Sequence, residues 1–296
     1  MMNKRGYEMR NFIISTDSTV DLPKAFIEEN QIAIHPLNYI VDEVEYGVEL
    51  EEIKPEDFYQ NMKEGKMPTT CASNPDYISK MMTDQAKRGF DVLHISFSSA
   101  LSSSYNNAAI SANIVMDEVE GSKIVVVDSL SATVGQALMV FCAVEKKKQG
   151  ESLEEIADWL VKNRKHFVHH FIVDDLHHLV RGGRLKKSSA VIGTALQIKP
   201  ILHVNDLGEL EPLAKIRGRK KALRTLVESI GDNMREQTMP AVFISHADCY
   251  EDATWVAGQI NELYGIETVP IVDITPTIGA HTGAGCIVIS YFGEKR

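Results

Sequence analysis

The chain has 296 residues and a formal net charge of −10, with 44% hydrophobic and 24% charged residues. This composition is typical of a soluble globular protein with one large or two medium domains. The acidic excess argues against extensive binding to nucleic acid or to an anionic membrane surface.

Cysteine usage and hydropathy indicate the compartment. Cys71, Cys142, Cys249 and Cys286 are widely spaced and form no CxxC pair, which predicts reduced thiols and argues against a zinc site. No apolar segment is long enough to cross a membrane. The charged residues up to Asn11 lead into no apolar segment of the kind found in signal peptides. We therefore expect a cytoplasmic protein without an integral membrane segment.

Strand-like apolar runs alternate with segments of helical periodicity along the chain. Strands are predicted over residues 12–15, 32–41, 92–97, 124–128, 168–173, 199–204, 210–216, 241–246, 267–274 and 286–292. Helices are predicted over residues 24–30, 55–63, 75–88, 108–115, 131–149, 152–164, 175–180, 188–196, 219–234 and 250–263, and a loop over 275–285.

This alternation predicts an α/β protein whose strands are mostly parallel and covered by helices. We place a domain boundary after a complete α/β unit, giving an N-terminal α/β domain over residues 1–165 and a C-terminal α/β domain over residues 166–296. The first sheet should be mostly parallel. The second should be mixed, because residues 199–216 contain a hairpin.

A serine-rich loop follows the strand predicted at 92–97 and opens a helix. Ligands of open α/β sheets bind beyond the carboxyl ends of strands, and a helix N-terminus favours an anion. Ser98 and Ser99, the first two serines, are therefore candidate ligand-binding residues. The alternative is that one serine caps the helix while the others belong to a solvated loop. The five serines are Ser98, Ser99, Ser102, Ser103 and Ser104.

Two other loops carry groups that could hold a carboxylate. Thr70 lies in the hydroxyl-rich loop before the helix at 75–88, and His281 and Thr282 lie in a glycine-rich loop between two strands. Glycines let the backbone approach a ligand closely, and a histidine can donate a hydrogen bond to an oxyanion. Ordinary helix capping and a tight turn with an exposed histidine are the simpler interpretations.

Basic residues cluster in two places of this acidic chain. The first cluster, around Arg181 and Arg184, surrounds a pair of glycines, and the second spans residues 215–224. Both precede or occupy the first turns of predicted helices, where the dipole disfavours cations, which indicates an anionic ligand or partner. The alternative is a solvated charged face.

The histidines between residues 166 and 178 suggest a metal site at first sight. Adjacent histidines on a strand or helix point apart, however, so no ligand spacing emerges and we expect no metal. The sequence also lacks a G-x-S-x-G nucleophile elbow, a Walker A loop and an H-E-x-x-H motif. A serine hydrolase and a P-loop kinase are therefore both disfavoured.

Eight segments together resemble the DegV family of bacterial lipid-binding proteins, which includes the fatty-acid-binding subunit of fatty acid kinase. The resemblance covers about residues 12–292. In chain order, the segments are TDSTVDLP, MPTTCASNP, FSSALSSSYNNA, VVDS, LHHLVRGGRLKK, KIRGRKKAL, SHAD and IGAHTGAG.

The resemblance implies two α/β domains with a fatty acid buried between them. The family's carboxylate-binding hydroxyls and histidine match Thr70, Ser98 or Ser99, and His281, and we add Thr282 beside the histidine. The family often has a second hydroxyl directly after the threonine, where this chain has Cys71.

The resemblance also implies a partner. The RGGR element, here Arg181 to Arg184, lies on the face where the family's partner would approach. We expect a non-catalytic carrier that presents a long-chain fatty acid to the catalytic subunit of an ATP-dependent fatty acid kinase, with no cofactor. The alternatives are a lipid or acyl-ester hydrolase using Ser99 and His281, and a regulatory lipid sensor without a kinase.

Overall fold

The computed structural model describes residues 11–47, 52–174, 176–187, 197–235, 242–266 and 271–296. Its strands, numbered along the chain, are β1 (Phe12–Asp17), β2 (Ala33–His35), β3 (Tyr39–Val41), β4 (Val44–Tyr46), β5 (Thr69–Thr70), β6 (Asp91–Ser96), β7 (Ile124–Asp128), β8 (Phe167–Ile172), β9 (Ile198–Val204), β10 (Leu210–Arg217), β11 (Phe243–His246), β12 (Ile271–Asp273) and β13 (Ile287–Phe292).

The α-helices are α1 (Lys24–Glu29), α2 (Pro55–Lys63), α3 (Pro75–Lys87), α4 (Ser104–Glu118), α5 (Thr133–Lys148), α6 (Leu153–Asn163), α7 (His177–Arg181), α8 (Arg219–Glu228), α9 (Tyr250–Tyr264) and α10 (Pro276–Thr282). No helix in this part of the chain is both long and apolar enough to span a bilayer.

The N-terminal half forms a four-stranded parallel sheet in the order β2-β1-β6-β7. Helices α3 and α4 pack together against one face of it, and α5 and α6 contact strands from the other side. The continuous apolar run of β7 is explained by this arrangement, because a parallel strand covered on both faces has no solvated side.

The C-terminal half forms a six-stranded mixed sheet in the order β10-β9-β8-β13-β11-β12. Only β11 and β12 run parallel, and the other neighbours are antiparallel. Helices α8 and α9 bury their apolar sides against one face of this sheet. The predicted α/β class, with a parallel sheet first and a mixed sheet second, is confirmed.

Helix α5 lies between the two sheets and contacts both of them. It packs against β1 and β6 of the parallel sheet and against β8, β11 and β13 of the mixed sheet. From Thr133 to Val144 every side chain except the half-buried Phe141 is buried. A helix apolar all round has no side to present to water, so its burial joins the two halves through one continuous apolar core.

A third, small antiparallel sheet, β4-β3-β5, lies on the N-terminal half. Its first hairpin turns at Asp42 and Glu43, both with positive φ. Residues 32–41, predicted as one strand, are instead β2 and β3 in different sheets. Pro36 lies between them and lacks the N–H that a continuous ladder requires.

The loop predicted over residues 275–285 is wrong, because its first part forms α10. Pro276 occupies the first helical position, where its missing N–H is tolerated, and the helix ends at Gly283. Of the three glycines that indicated a loop, Gly279 lies inside a helix packed against α2, α7 and β5, whereas Gly283 and Gly285 follow it. The helix predicted over 188–196 lies outside the described residues. The domain boundary at 165 and 166, just before β8, stays a prediction.

A buried carboxyl group links the two halves near the start of α10. Asp21 is 2% exposed, and its Oδ1 atom accepts a hydrogen bond from the Thr275 backbone N–H at 3.1 Å. Burial raises the pKa of Asp21 from 3.8 to about 7, although the hydrogen bonds from Thr275 and Ser245 oppose this shift. Between about pH 4 and pH 7, Asp21 is therefore mostly protonated in the folded protein and mostly ionised in the unfolded chain.

We predict that replacing Asp21 by Asn removes a pH-dependent destabilisation. In the wild-type protein, the contribution of Asp21 is most favourable below pH 4 and declines as the pH rises to about 7, by at most roughly 4 kcal/mol. The melting temperature of D21N relative to wild type should therefore rise between pH 4 and pH 8. The exposed Asp117→Asn serves as control and should show no such trend. Parallel pH profiles for D21N and wild type would contradict the prediction.

Candidate functional site

A cavity lies between the two halves and draws its walls from both. The space between its wall atoms is about 730 Å³, including solvent at its open mouth. Most of its wall is apolar. The apolar side chains are Leu37, Phe97, Leu101, Ala132, Phe171, Leu179, Val204, Leu210, Ile278 and Val288.

Thr70 and His281 meet in the wall of this cavity. The Thr70 Oγ1 atom lies 2.8 Å from His281 Nε2, although the two residues are 211 positions apart in the sequence. Thr70 is carried by β5 and His281 by the last turn of α10, which pack together. Arg181 joins these two elements by donating to the carbonyl oxygens of Pro68 and Ala280, each at 3.0 Å.

His281 is neutral at physiological pH. Burial, together with the nearby cations Arg184 and Arg181, lowers the pKa of its imidazole to about 4. Its Nδ1 atom is buried and has no hydrogen-bond partner among the described residues. A side chain at Gly182 would place its Cβ 2.0 Å from that nitrogen. Gly182 therefore allows the His281 ring to occupy its position.

Arg184 lines the same cavity and is half-buried. Its Nε atom donates to the carbonyl oxygen of Leu101 at 3.0 Å, and its Nη1 atom donates to that of Gly182. Burial lowers the pKa of the guanidinium from 12.5. Arg184 thus brings a positive charge to the cavity wall. The other polar groups of the wall are neutral and include the thiol of Cys71, which follows Thr70 in the sequence.

The two predicted serines are not among the residues that line the cavity. The buried Ser98 Oγ donates to the carbonyl oxygen of Gly208 at 2.9 Å, which joins the serine loop to the β9–β10 turn. Ser99 is exposed, and its Oγ donates to Asp128 Oδ2 at 2.6 Å. The serine that lines the cavity is the half-buried Ser102, whose Oγ lies 2.8 Å from Ser104 Oγ.

Thr282 lines the cavity beside His281 and is buried. Its Oγ1 donates over long distances to the Ile278 oxygen at 3.4 Å and to the Gly283 oxygen at 3.5 Å. Thr277, another lining residue, donates to the Leu37 oxygen at 3.0 Å and so ties α10 to the N-terminal half. The structure thus brings Thr70, His281, Thr282 and Arg184 to one cavity.

The sequence analysis missed Ser102 and the cavity-facing position of Arg184. Both have a local signal, since Ser102 belongs to the serine cluster and Arg184 to the first basic cluster. Ser102 lies in the turn after Ser98, in which the N–H groups of Leu101 and Ser102 both donate to the Ser98 oxygen. Arg184 contacts the same turn by donating to the Leu101 oxygen. This turn directs Ser102 and Leu101 toward the cavity.

The neighbouring histidines of β8 point to opposite faces of the sheet, as alternation requires. His169 lines the cavity. His170 Nδ1 instead lies 2.7 Å from Oγ of Ser229, the residue that follows α8. Within the described ranges, no three His, Cys, Asp or Glu side chains are grouped so that they could hold a metal ion.

Comparison with known proteins finds one family over nearly the whole chain. Residues 11–294 match the model of the family described as "Uncharacterised protein, DegV family". A DegV domain-containing protein of Clostridium perfringens is 37% identical over 289 residues, which cover 97% of this chain and 99% of that protein.

Solved structures agree with this match. A fatty-acid-binding DegV family protein from Thermus thermophilus superposes with a TM-score of 0.84 at 27% identity, covering 96% of this chain and 100% of that one. DegV from Bacillus subtilis, described as a fatty acid binding protein, gives 0.79 at 30% identity, covering 95% and 99%. By fold, sequence and coverage, this chain belongs to the DegV family.

Proposed function

We propose that this protein binds a long-chain fatty acid in the cavity between its two halves. The observation that carries the proposal is an apolar cavity whose wall contains the Thr70–His281 pair and the Arg184 cation. An amphiphile with one anionic end and a long hydrocarbon tail matches that distribution of polarity. The fatty acids bound by the Thermus thermophilus and Bacillus subtilis proteins support it.

The tail supplies most of the binding free energy in this proposal. A chain of about fifteen methylenes at about 0.8 kcal/mol each contributes on the order of 12 kcal/mol, before the costs of association and ordering. Phe97, Phe171 and Val288, among others, form the apolar wall that would receive it. The headgroup contacts then mainly set the orientation of the ligand.

The carboxylate would lie at Thr70 and His281, with Thr282 and Ser102 nearby, while the Arg184 guanidinium would serve the kinase partner. If His281 carries its proton on Nε2, it donates to Thr70 Oγ1, and the threonine hydroxyl is free to donate to the carboxylate. The neutral imidazole also avoids a permanent ion pair with the ligand. Such a site holds a carboxylate in place and can also accommodate the larger acyl phosphate of the same chain.

We further propose that a separate ATP-dependent fatty acid kinase phosphorylates the presented carboxylate to give an acyl phosphate. The sequence has no Walker A loop of its own, so the phosphoryl donor would have to be bound by another protein. The exposed cations Arg181, Lys186 and Lys187 lie within three residues of Arg184 in the sequence. These cations fit an acidic partner surface or a phosphoryl group in transfer. The four free cysteines fit a cytoplasmic site of action.

The hydrolase alternative loses its proposed pair of residues. Ser99 Oγ bonds to Asp128, and His281 Nε2 bonds to Thr70. A nucleophilic serine requires a base within hydrogen-bond reach, and each of these residues has another partner. We therefore propose a non-catalytic carrier.

Replacing Thr70 by Val, or His281 by Ala, should weaken fatty acid binding by about tenfold, because T70V removes the hydroxyl that donates to the carboxylate and H281A removes the imidazole that orients this hydroxyl. Displacement of a fluorescent fatty acid measures the affinity. Unfolding without ligand should change little for T70V. Ser99→Ala is the matched control, since its hydroxyl bonds outside the cavity, and should bind like wild type. Unchanged affinity in both site variants, or an equal loss in S99A, would contradict the headgroup assignment.

Arg184→Ala should retain bound lipid but slow acyl phosphate formation about tenfold in an assay reconstituted with a fatty acid kinase catalytic subunit. The defect should be larger at low salt, since exposed charge pairs are screened by ions. Lys24→Ala, which removes a cation from α1, controls for the loss of charge alone. A normal rate in R184A would refute a role toward the partner, and a loss of lipid would assign Arg184 to the carboxylate instead.

A further inference from the structure

One polar side chain in the cavity has no part in the headgroup site. His169, on β8, lines the cavity and is 1% exposed. Neither of its ring nitrogens makes a hydrogen bond of ordinary geometry among the described residues, although backbone groups of Phe167 and Ala132 lie near enough to affect the pKa of the ring. Its neighbours two positions away on the same face of β8, Phe167 and Phe171, belong to the apolar core. An imidazole is thus buried in a wall where hydrocarbon would suffice.

The fold makes specific room for this ring. A side chain at Gly135, in the first turn of α5, would place its Cβ 1.3 Å from His169 Nε2. The ring therefore lies directly against the backbone of α5. The His169 imidazole can occupy this position because residue 135 has no side chain.

A second polar group lies in the same wall. Thr133, two residues before Gly135, lines the cavity and has φ of 50°. A β-branched residue in the left-handed region is a genuine outlier, and such strain concentrates at functional sites. Its backbone N–H donates to the Thr19 oxygen at 3.2 Å. Both polar side chains come from β8 and the start of α5, whereas Thr70 and His281 come from β5 and α10.

His169 is neutral, because burial holds the pKa of its ring well below the usual value of 6.5 even though backbone groups of Phe167 and Ala132 partly favour the charged form. A neutral imidazole offers one N–H donor and one acceptor nitrogen. A hydroxyl group also combines one donor with acceptor capacity, so it can satisfy the nitrogen that the α5 backbone at Gly135 does not cover. A plain hydrocarbon chain leaves that nitrogen unsatisfied, which is costly in a dry site.

We propose that the cavity recognises a fatty acid bearing a hydroxyl group along its chain, with His169 as the hydrogen-bond partner of that hydroxyl and Thr133 beside it. The inference rests on the proposed fatty acid binding and assigns its substrate class. Hydrogen-bonding sites reject analogues that lack the matching group more strongly than apolar pockets reject additions. His169 is therefore a specificity-determining residue distinct from the headgroup site.

The test compares stearic acid with a positional series of monohydroxystearic acids, each displacing a fluorescent fatty acid from the wild-type protein and from His169→Phe. Wild type should bind at least one positional isomer about tenfold more tightly than stearic acid. H169F should lose that preference and bind stearic acid at least as tightly as wild type does. Gly135→Ala, which displaces the ring, should also lose the preference, whereas the control Gly258→Ala, with open space around its Cβ, should keep it.

Equal or tighter binding of stearic acid by wild type would overturn the inference, as would a preference that survives in H169F. A preference for oleic acid over every hydroxy acid would also overturn it. If wild type binds none of these acids, the proposed function itself fails. Should H169F not fold, the ¹⁵N shifts of the His169 ring in wild type decide. They should move with the preferred hydroxy acid and not with stearic acid, and identical shifts would refute the hydrogen bond.

Discussion

The structure depends on one apolar helix that has no solvated side. Helix α5 is buried by the parallel sheet on one side and by the mixed sheet on the other, so neither half can cover its own core alone. Burial of this kind is the largest favourable term in folding. The packing of α5 against both sheets fixes the spacing of the two halves. The cavity lies where that packing stops, at the residues that begin the helix, Ala132 and Thr133.

The polar part of the cavity is held by contacts from elements distant in sequence. Arg181 joins β5 to α10, Thr277 joins α10 to the N-terminal half, and Ser98 joins the serine loop to the β9–β10 turn. Several predicted binding residues therefore act as connectors that position their neighbours. Burial and two arginines keep His281 neutral, so the site combines a single half-buried cation with hydroxyl and imidazole groups.

The local pattern of the chain predicted most elements, because periodicity and capping are local properties. The capping box of α6, with Ser152 and Glu155, is present in the structure. The first turn of the largely apolar helix α5 belongs to the core and also contributes Thr133 to the cavity wall. The family resemblance matched Thr70 and His281, with Ser98 or Ser99, to one carboxylate site, which no local pattern could do for Thr70 and His281, 211 positions apart.

What the sequence did not predict depends on tertiary contacts. Helix α10 is followed closely by Gly283 and Gly285, which made the whole segment resemble a loop, and it is helical where it packs against α2, α7 and β5. Among the adjacent serines, only the fold distinguishes Ser99, which bonds to Asp128, from Ser102, which lines the cavity. His169 gave no signal apart from a histidine cluster that suggested metal, because the apolar surroundings that make it unusual come from both halves of the chain.

The central claim is that a fatty acid occupies the cavity of the native protein. Organic extraction of the purified protein, followed by mass spectrometry, tests it most directly. The account predicts a long-chain acid in near-equal molar ratio to protein. Delipidation should lower the melting temperature and adding the same acid should restore it, because the ligand binds only the folded state. Extraction that yields no lipid, together with no change in melting temperature for acids of any chain length, would contradict the account.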